Sequence, residues 1–399
     1  ERAKAAEKGC CLIRAANDDA GAFLLDLAEH YRLQQDWAVL GVTGSGKTEV
    51  YLRAIEDVLA AGRNMEFYSS EDLKTWRFES RFGEGHGSHA NVWECPDLFE
   101  LPVDGDPADT KWVLLCSLGT ESGSRVQYFV GRFDGHTFTN EAAPEAVKWM
   151  DFGRDHYATV TWSNVPDDRR IAIGWMSNWQ YANYTPIQQF RSANALPREL
   201  SLYTGEDKQL YLSAAPVKET EHLRKDSKKL DDFTVNGEKR LETLFENNDG
   251  AFELELQLVS AGKEAGFELL NSLGEKVKIY LDASEGRVVM DRAESGIVDF
   301  GKKVKPHDLD TEESYARYKE VTVNYKNDFA LGTWAPINTA KAHKIQVFVD
   351  NGSVELFVDG GRVAMTNLVF PNEPYNSLRF YSKGGEMKIS NFTIYKLGL

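Results

Sequence analysis

Val347-Phe-Val-Asp-Asn-Gly-Ser-Val-Glu-Leu-Phe-Val-Asp-Gly-Gly361 sets two apolar runs on either side of Asn351-Gly352 and ends in a second turn signal, Asp359-Gly360-Gly361. Asn-Gly between such runs is a strong hairpin signature, because both turn residues must take positive φ and these two tolerate it. Runs of the same kind recur on both sides, at 252–258, 265–269, 276–281, 321–325, 344–349, 354–358, 378–381 and 387–395. About ten strands in roughly 170 residues predict a two-sheet sandwich over 230–399. Residues 214–229 are polar and charge-dense and read as a linker or bridging helix. Before them, short alternating runs lie at 65–69, 112–117, 126–133, 157–162, 171–175, 199–203 and 209–213, separated by turn signals such as Asp134-Gly135. Strands at this spacing indicate a propeller, barrel or sandwich over 64–213.

Residues 1–63 read differently. Asp18 and Asp19 can cap a helix carrying Phe23, Leu24, Leu27 and Tyr31 at helical spacing. A short strand at 37–41 then enters Gly41-Val-Thr-Gly-Ser-Gly-Lys47-Thr48, and a second helix is expected over about 48–61. The glycine loop is a complete Walker A pattern. Its N–H groups would cradle phosphates, with Gly41, Gly46, Lys47 and Thr48 as candidate nucleotide-binding residues. Over about 39–62 it resembles the primosomal replication-restart helicases. A working nucleotide site also needs a parallel sheet and an acidic metal-binding residue on a neighbouring strand. The following antiparallel β pattern supplies neither, so the loop is expected to be a vestigial appendage.

Composition narrows the function. The 399 residues hold 46 Lys and Arg against 62 Asp and Glu, a net charge of −16. Such a chain is a poor candidate for gripping nucleic acid or an anionic membrane, and suits an uncharged substrate. No apolar run approaches the ~18 residues of a transmembrane helix. The first twenty residues, beginning at Glu1, lack a signal-peptide layout, and no localisation is assigned. Cys10, Cys11, Cys95 and Cys116 are too few and scattered for a disulfide framework. The 21 Phe, 16 Tyr and 9 Trp say more. Tryptophan suits both tight β packing and stacking on sugar rings, and most of these are expected in the core.

Asn91-Val-Trp-Glu-Cys-Pro-Asp-Leu-Phe-Glu100 places Glu94 between Trp93 and Cys95-Pro96. A carboxyl group in an apolar, aromatic wall has a raised pKa and can act as a general acid near neutrality. Glycoside cleavage needs such an acid and a second carboxylate at the anomeric carbon.

Trp93-Glu-Cys-Pro-Asp-Leu-Phe99 resembles the acid/base motif of glycoside hydrolase family 32, the invertases, inulinases and levanases. Phe67-Tyr-Ser-Ser-Glu-Asp-Leu-Lys-Thr-Trp76 resembles the strand pair before that motif, and Tyr128-Phe-Val-Gly-Arg-Phe-Asp-Gly135, Asp151-Phe-Gly-Arg-Asp-His-Tyr-Ala158, Ile173-Gly-Trp-Met-Ser-Asn-Trp-Gln-Tyr-Ala182 and Leu196-Pro-Arg-Glu-Leu200 are similar to later parts of the same family in the same order. The resemblance, over about 65–399, implies part of a five-bladed propeller followed by a β-sandwich. It implies a retaining β-fructofuranosidase without a cofactor, acting on sucrose, inulin or levan. Glu94 would be the acid/base, and Asp155, Tyr157 and Trp175 would line the fructose subsite. His86 and His89 have no third ligand in sight and read as loop residues rather than a metal site. Family members described in these terms are often extracellular or periplasmic.

Two family motifs are missing from the 399 residues. No Trp-Met-Asn-Asp-Pro-Asn-Gly segment supplies the nucleophilic aspartate. Arg154-Asp155 is followed by His156 and lies downstream of Glu94, so it does not match the family's Arg-Asp-Pro. The chain thus reads as an N-terminally truncated family member joined at about residue 64 to a helicase-like piece, with impaired activity. The alternatives are a non-catalytic fructan-binding β protein and a P-loop nucleotide-binding fragment.

Overall fold

The computed structural model describes residues 49–53, 64–70, 75–300 and 329–398, apart from 163, 188, 189, 191 and 248. Gly41, Gly46, Lys47, Thr48 and the strand expected at 321–325 lie outside the described residues. The protein is mainly β: part of a propeller followed by a β-sandwich.

Three antiparallel units stack in the first half. β1 (Glu49–Arg53), β2 (Met65–Ser70) and β3 (Arg77–Phe82) form a three-stranded sheet. The helix expected over 48–61 is therefore corrected at its start. Glu49-Val-Tyr-Leu-Arg53 contains β-branched and aromatic residues, and β2 offers an edge on which they pair residue for residue, from Glu49 with Ser70 to Arg53 with Glu66. β4 (Trp93–Val103), β5 (Asp106–Thr120), β6 (Gly123–Phe133) and β7 (Phe138–Asn140) make a four-stranded meander. Its first turn is Asp104-Gly105, both with positive φ, as a two-residue hairpin requires. β8 (Tyr157–Thr161), β9 (Arg170–Met176), β11 (Arg198–Thr204) and β12 (Leu210–Pro216) make the third unit, with β10 (Ala193–Asn194) on the edge of β9.

The middle unit is covered on both faces. Leu98, Leu114, Cys116, Leu118 and Phe129 pack with Met65, Phe67 and Phe82 on one side. Phe99, Val113, Leu115, Val126 and Tyr128 pack with Leu200, Leu202 and Leu212 on the other. That explains why 112–118 reads as a near-continuous apolar run rather than an alternating one.

The sandwich begins earlier than the sequence indicated. Lys218–Leu223 is a short 3-10 turn, but Arg224–Lys229, expected in the linker, is strand β13 paired with the last strand. An exposed edge strand rich in Lys and Asp carries the same polar signature as a linker. The rest are β14 (Phe233–Leu241), β15 (Phe252–Ser260), β16 (Glu264–Leu270), β17 (Lys276–Asp282), β18 (Arg287–Glu294), β19 (Thr333–Pro336), β20 (His343–Asp350), β21 (Ser353–Val358), β22 (Val363–Leu368) and β23 (Ser377–Leu397). β23 serves both sheets: its first half pairs with β16 and its second half with β15 and β13. Phe252, Leu254, Leu256, Phe267, Ile279, Val347, Leu356 and Phe380 fill the space between. The expected hairpin at Asn351-Gly352 joins β20 to β21, although neither turn residue takes the expected positive φ.

The two halves are sewn together. The segment from Asp151 to Asp155 runs along β22: Phe152 N donates to Ala364 O at 2.8 Å and Asp155 N to Thr366 O at 3.0 Å. Two buried arginines cross this seam in opposite directions. Arg198 of the propeller donates to Asp151 Oδ2 at 2.8 Å and to Glu355 Oε2 of the sandwich at 3.0 Å. Arg292 of the sandwich donates to Asp155 Oδ2 at 2.6 Å and to the Tyr181 hydroxyl at 2.9 Å.

Candidate active site

Glu94 stands where β4 breaks its pairing. It faces Ser117 across the ladder, and the register then shifts between Glu94 and Asp97. Within that bulge Cys95 has φ of +47°, an unusual conformation for a residue ahead of proline. The bulge turns Trp93 into the core while leaving Glu94 exposed. The carboxyl group is thus presented at the surface, not enclosed by an apolar wall as its neighbours in sequence suggested.

Tyr157 holds it there. The Tyr157 hydroxyl donates to Glu94 Oε2. Burial, reinforced by the Glu94 carboxylate, pushes this phenol far above its usual pKa, so it keeps the proton it donates. β8 is also bulged between Tyr157 and Val160, with Ala158 at φ +49°. Tyr157 pairs with Trp175 across β8 and β9, their rings 6.3 Å apart and edge-on. Trp175 meets Trp179 at 4.8 Å, and Trp179 is 62% exposed. Glu94, Tyr157, Trp175 and Trp179 thus form a continuous wall from a carboxylate to an open aromatic face. The sequence reading did not single out Trp179; its signal was a second tryptophan four residues beyond Trp175.

The neighbouring groups are committed elsewhere. Asp97 Oδ2 accepts from Thr161 N at 2.8 Å and Thr161 Oγ1 at 2.7 Å, which ties β4 to β8. Burial raises its pKa despite those bonds. The Cys95 thiol is pushed up to about 11 by burial and the nearby Glu94 charge, so it stays protonated. Asp155, expected among the substrate-binding residues, is fully buried. Its oxygens accept from Tyr181, Arg292 and the Leu368 N–H, so it shapes the site through the seam. His89 stacks on Trp93 at 5.1 Å, and His86 packs on Phe82 at 5.0 Å.

Comparison with known proteins follows the same two halves. The model of the glycosyl hydrolases family 32 N-terminal domain matches residues 51–214, starting inside β1, and the family's C-terminal model matches 219–396. The chain is 38% identical over 348 residues to a levanase of Bacillus subtilis (strain 168), covering 85% of this chain and 48% of that protein. It is 29% identical to an extracellular exo-inulinase of Aspergillus ficuum, over 82% of this chain and 58% of the relative. The crystal structure of an exo-inulinase from Aspergillus awamori superposes with a TM-score of 0.71 at 26% identity, covering 90% of this chain and 66% of that one. The chain spans about half the length of the curated levanase it matches.

Proposed function

Because the chain belongs to glycoside hydrolase family 32, we propose that it acts on β-fructofuranosidic bonds of levan, inulin or sucrose, with Glu94 as the acid/base. The observation that carries this reading is the Glu94 carboxyl on its bulge, fixed by Tyr157 and flanked by the Trp175–Trp179 face. A sugar ring stacked on that face would bring its glycosidic oxygen to Glu94. Glu94 then protonates the leaving oxygen, and in the second half-reaction the same carboxylate takes a proton from the attacking water. A retaining mechanism also needs a nucleophilic carboxylate about 5–5.5 Å from the acid. The two nearby candidates, Asp97 and Asp155, are each held by other groups. The resemblance places the nucleophile in a motif that these 399 residues lack, and "the completed chain" below means this chain preceded by a family-type segment bearing that aspartate.

The test is dependence on the leaving group. In the completed chain, Glu94→Gln should slow fructose release from sucrose by about 10²–10⁴-fold, the usual contribution of general acid catalysis. Formation of the fructosyl-enzyme from β-fructosyl fluoride, whose leaving group needs no proton, should be slowed far less. Equal losses on both substrates would remove Glu94 from the acid role.

A further inference from the structure

Each of three carboxylates buried along the domain seam is paired with an arginine: Asp151 and Glu355 share Arg198, and Asp155 has Arg292. Arg154 has none. It is 3% exposed, and among the described residues it makes no ion pair. Its Nη2 donates to the Gln180 side-chain oxygen, while its Nε is buried without an acceptor. Burying a guanidinium without a counter-charge is strongly unfavourable, so buried charges are ordinarily paired. Arg125, half-buried, is a second guanidinium nearby. Its Nε donates to Ser122 Oγ at 3.0 Å, its guanidinium lies 5.2 Å from the centre of the Trp149 ring, and it too makes no ion pair among the described residues.

Both heads converge on the turn between β5 and β6. Gln180, which holds Arg154, donates from Nε2 to Glu121 O at 3.3 Å, and Ser122, next along, holds Arg125. Trp179 N donates to Ser124 Oγ at 3.2 Å, which fixes the exposed indole over the same turn. Gly123 sits against Asn178 so closely that a Cβ there would stand 2.2 Å from its side-chain nitrogen. The charged groups around the pair are Asp151, Asp155 and Glu355, each already matched, and Glu121, which makes no ion pair among the described residues.

We propose that Arg154 and Arg125 form a binding site for an anionic group, a phosphate or carboxylate borne by a sugar, beside the Trp175–Trp179 face. Two guanidiniums supply the forked donors that such groups accept, in a chain whose overall charge is otherwise negative. The composition suggested an uncharged substrate; this pair is a local exception. The inference does not depend on the glycosidase reading, because inorganic phosphate alone tests it.

The experiment is titration calorimetry and thermal unfolding of the 399-residue chain at constant ionic strength, set with sodium chloride. Inorganic phosphate, fructose 6-phosphate, glucuronate and fructose serve as probes. Phosphate should bind and raise the unfolding midpoint, and Arg154→Gln should weaken binding at least tenfold. Without anion, Arg154→Gln should unfold at the same or a higher temperature, since an unmatched buried charge has been removed. Arg125→Gln should also weaken binding and guards against an unstable Arg154 variant. Tenfold tighter binding of fructose 6-phosphate than of inorganic phosphate identifies a phosphorylated sugar, and tighter binding of glucuronate a carboxylated one. No binding of any anionic probe, or a phosphate affinity unchanged in both variants, overturns the proposal.

Discussion

Tyr157 shows how much a single hydroxyl is asked to do at this site. It is the donor that fixes Glu94 and the ring that meets Trp175. In the completed chain, Tyr157→Phe keeps the ring and loses the bond. A hydrogen bond to a charged group is worth about 1.5–3 kcal/mol, so kcat should fall roughly 10–100-fold with KM little changed. Steady-state kinetics on sucrose separates the two, and an unchanged kcat would show that Glu94 is positioned without Tyr157. His156, the next residue back, is buried, and burial, with Arg198 nearby, pushes its pKa down to about 3. The folded state therefore refuses a proton that the unfolded chain accepts below about 6.5. Stability from this group is full above that pH and falls as pH drops toward 3. The unfolding midpoint of His156→Gln should accordingly depend less on pH between about 6.5 and 4.5 than that of the unaltered chain. At this scale Glu94, Tyr157 and Trp175 were legible because their motifs are local. The burial of Asp155 was not legible, because its partner Arg292 lies 137 residues away and no local pattern announces it.

Among the elements, strands were read well where one face or both are apolar and poorly where polarity hides them. β13 passed for a linker because an edge strand exposes nearly every side chain, and β1 passed for a helix because Val50, Ile55 and Val58 also fit a helical period. The bulges in β4 and β8, which aim Glu94 and Tyr157, left no sequence signal beyond Cys95-Pro96. The seam between β22 and the segment from Asp151 to Asp155 was likewise invisible, since it joins two distant stretches. Its weight can be measured. Arg292→Met strands Asp155 as an unmatched buried charge, and breaking a buried pair this way costs about 3–5 kcal/mol. Urea unfolding should show that loss, and the double variant Arg292→Met with Asp155→Asn should recover part of it. A loss under 1 kcal/mol would mean that the seam relaxes and admits water.

Across the whole molecule, two apolar runs around an Asn-Gly turn and a series of short strands were enough to indicate two β regions, the second a sandwich, while the propeller in the first came from the family resemblance. The proposed catalytic wall adds what strand patterns cannot: Glu94, Tyr157, Trp175 and Trp179 from three different strands and a loop, backed by arginines reaching across the domain seam. Among the described residues that wall holds one carboxyl group, Glu94, whereas the proposed retaining reaction uses two. The most direct measurement is fructose release from levan by the 399-residue chain, by the completed chain, and by each carrying Glu94→Gln. The account predicts background release from the 399-residue chain with or without the substitution, and turnover by the completed chain that Glu94→Gln slows by about 10²–10⁴-fold. Robust release by the 399-residue chain that Glu94→Gln removes would contradict it, and would place the nucleophile on a carboxylate already within these residues.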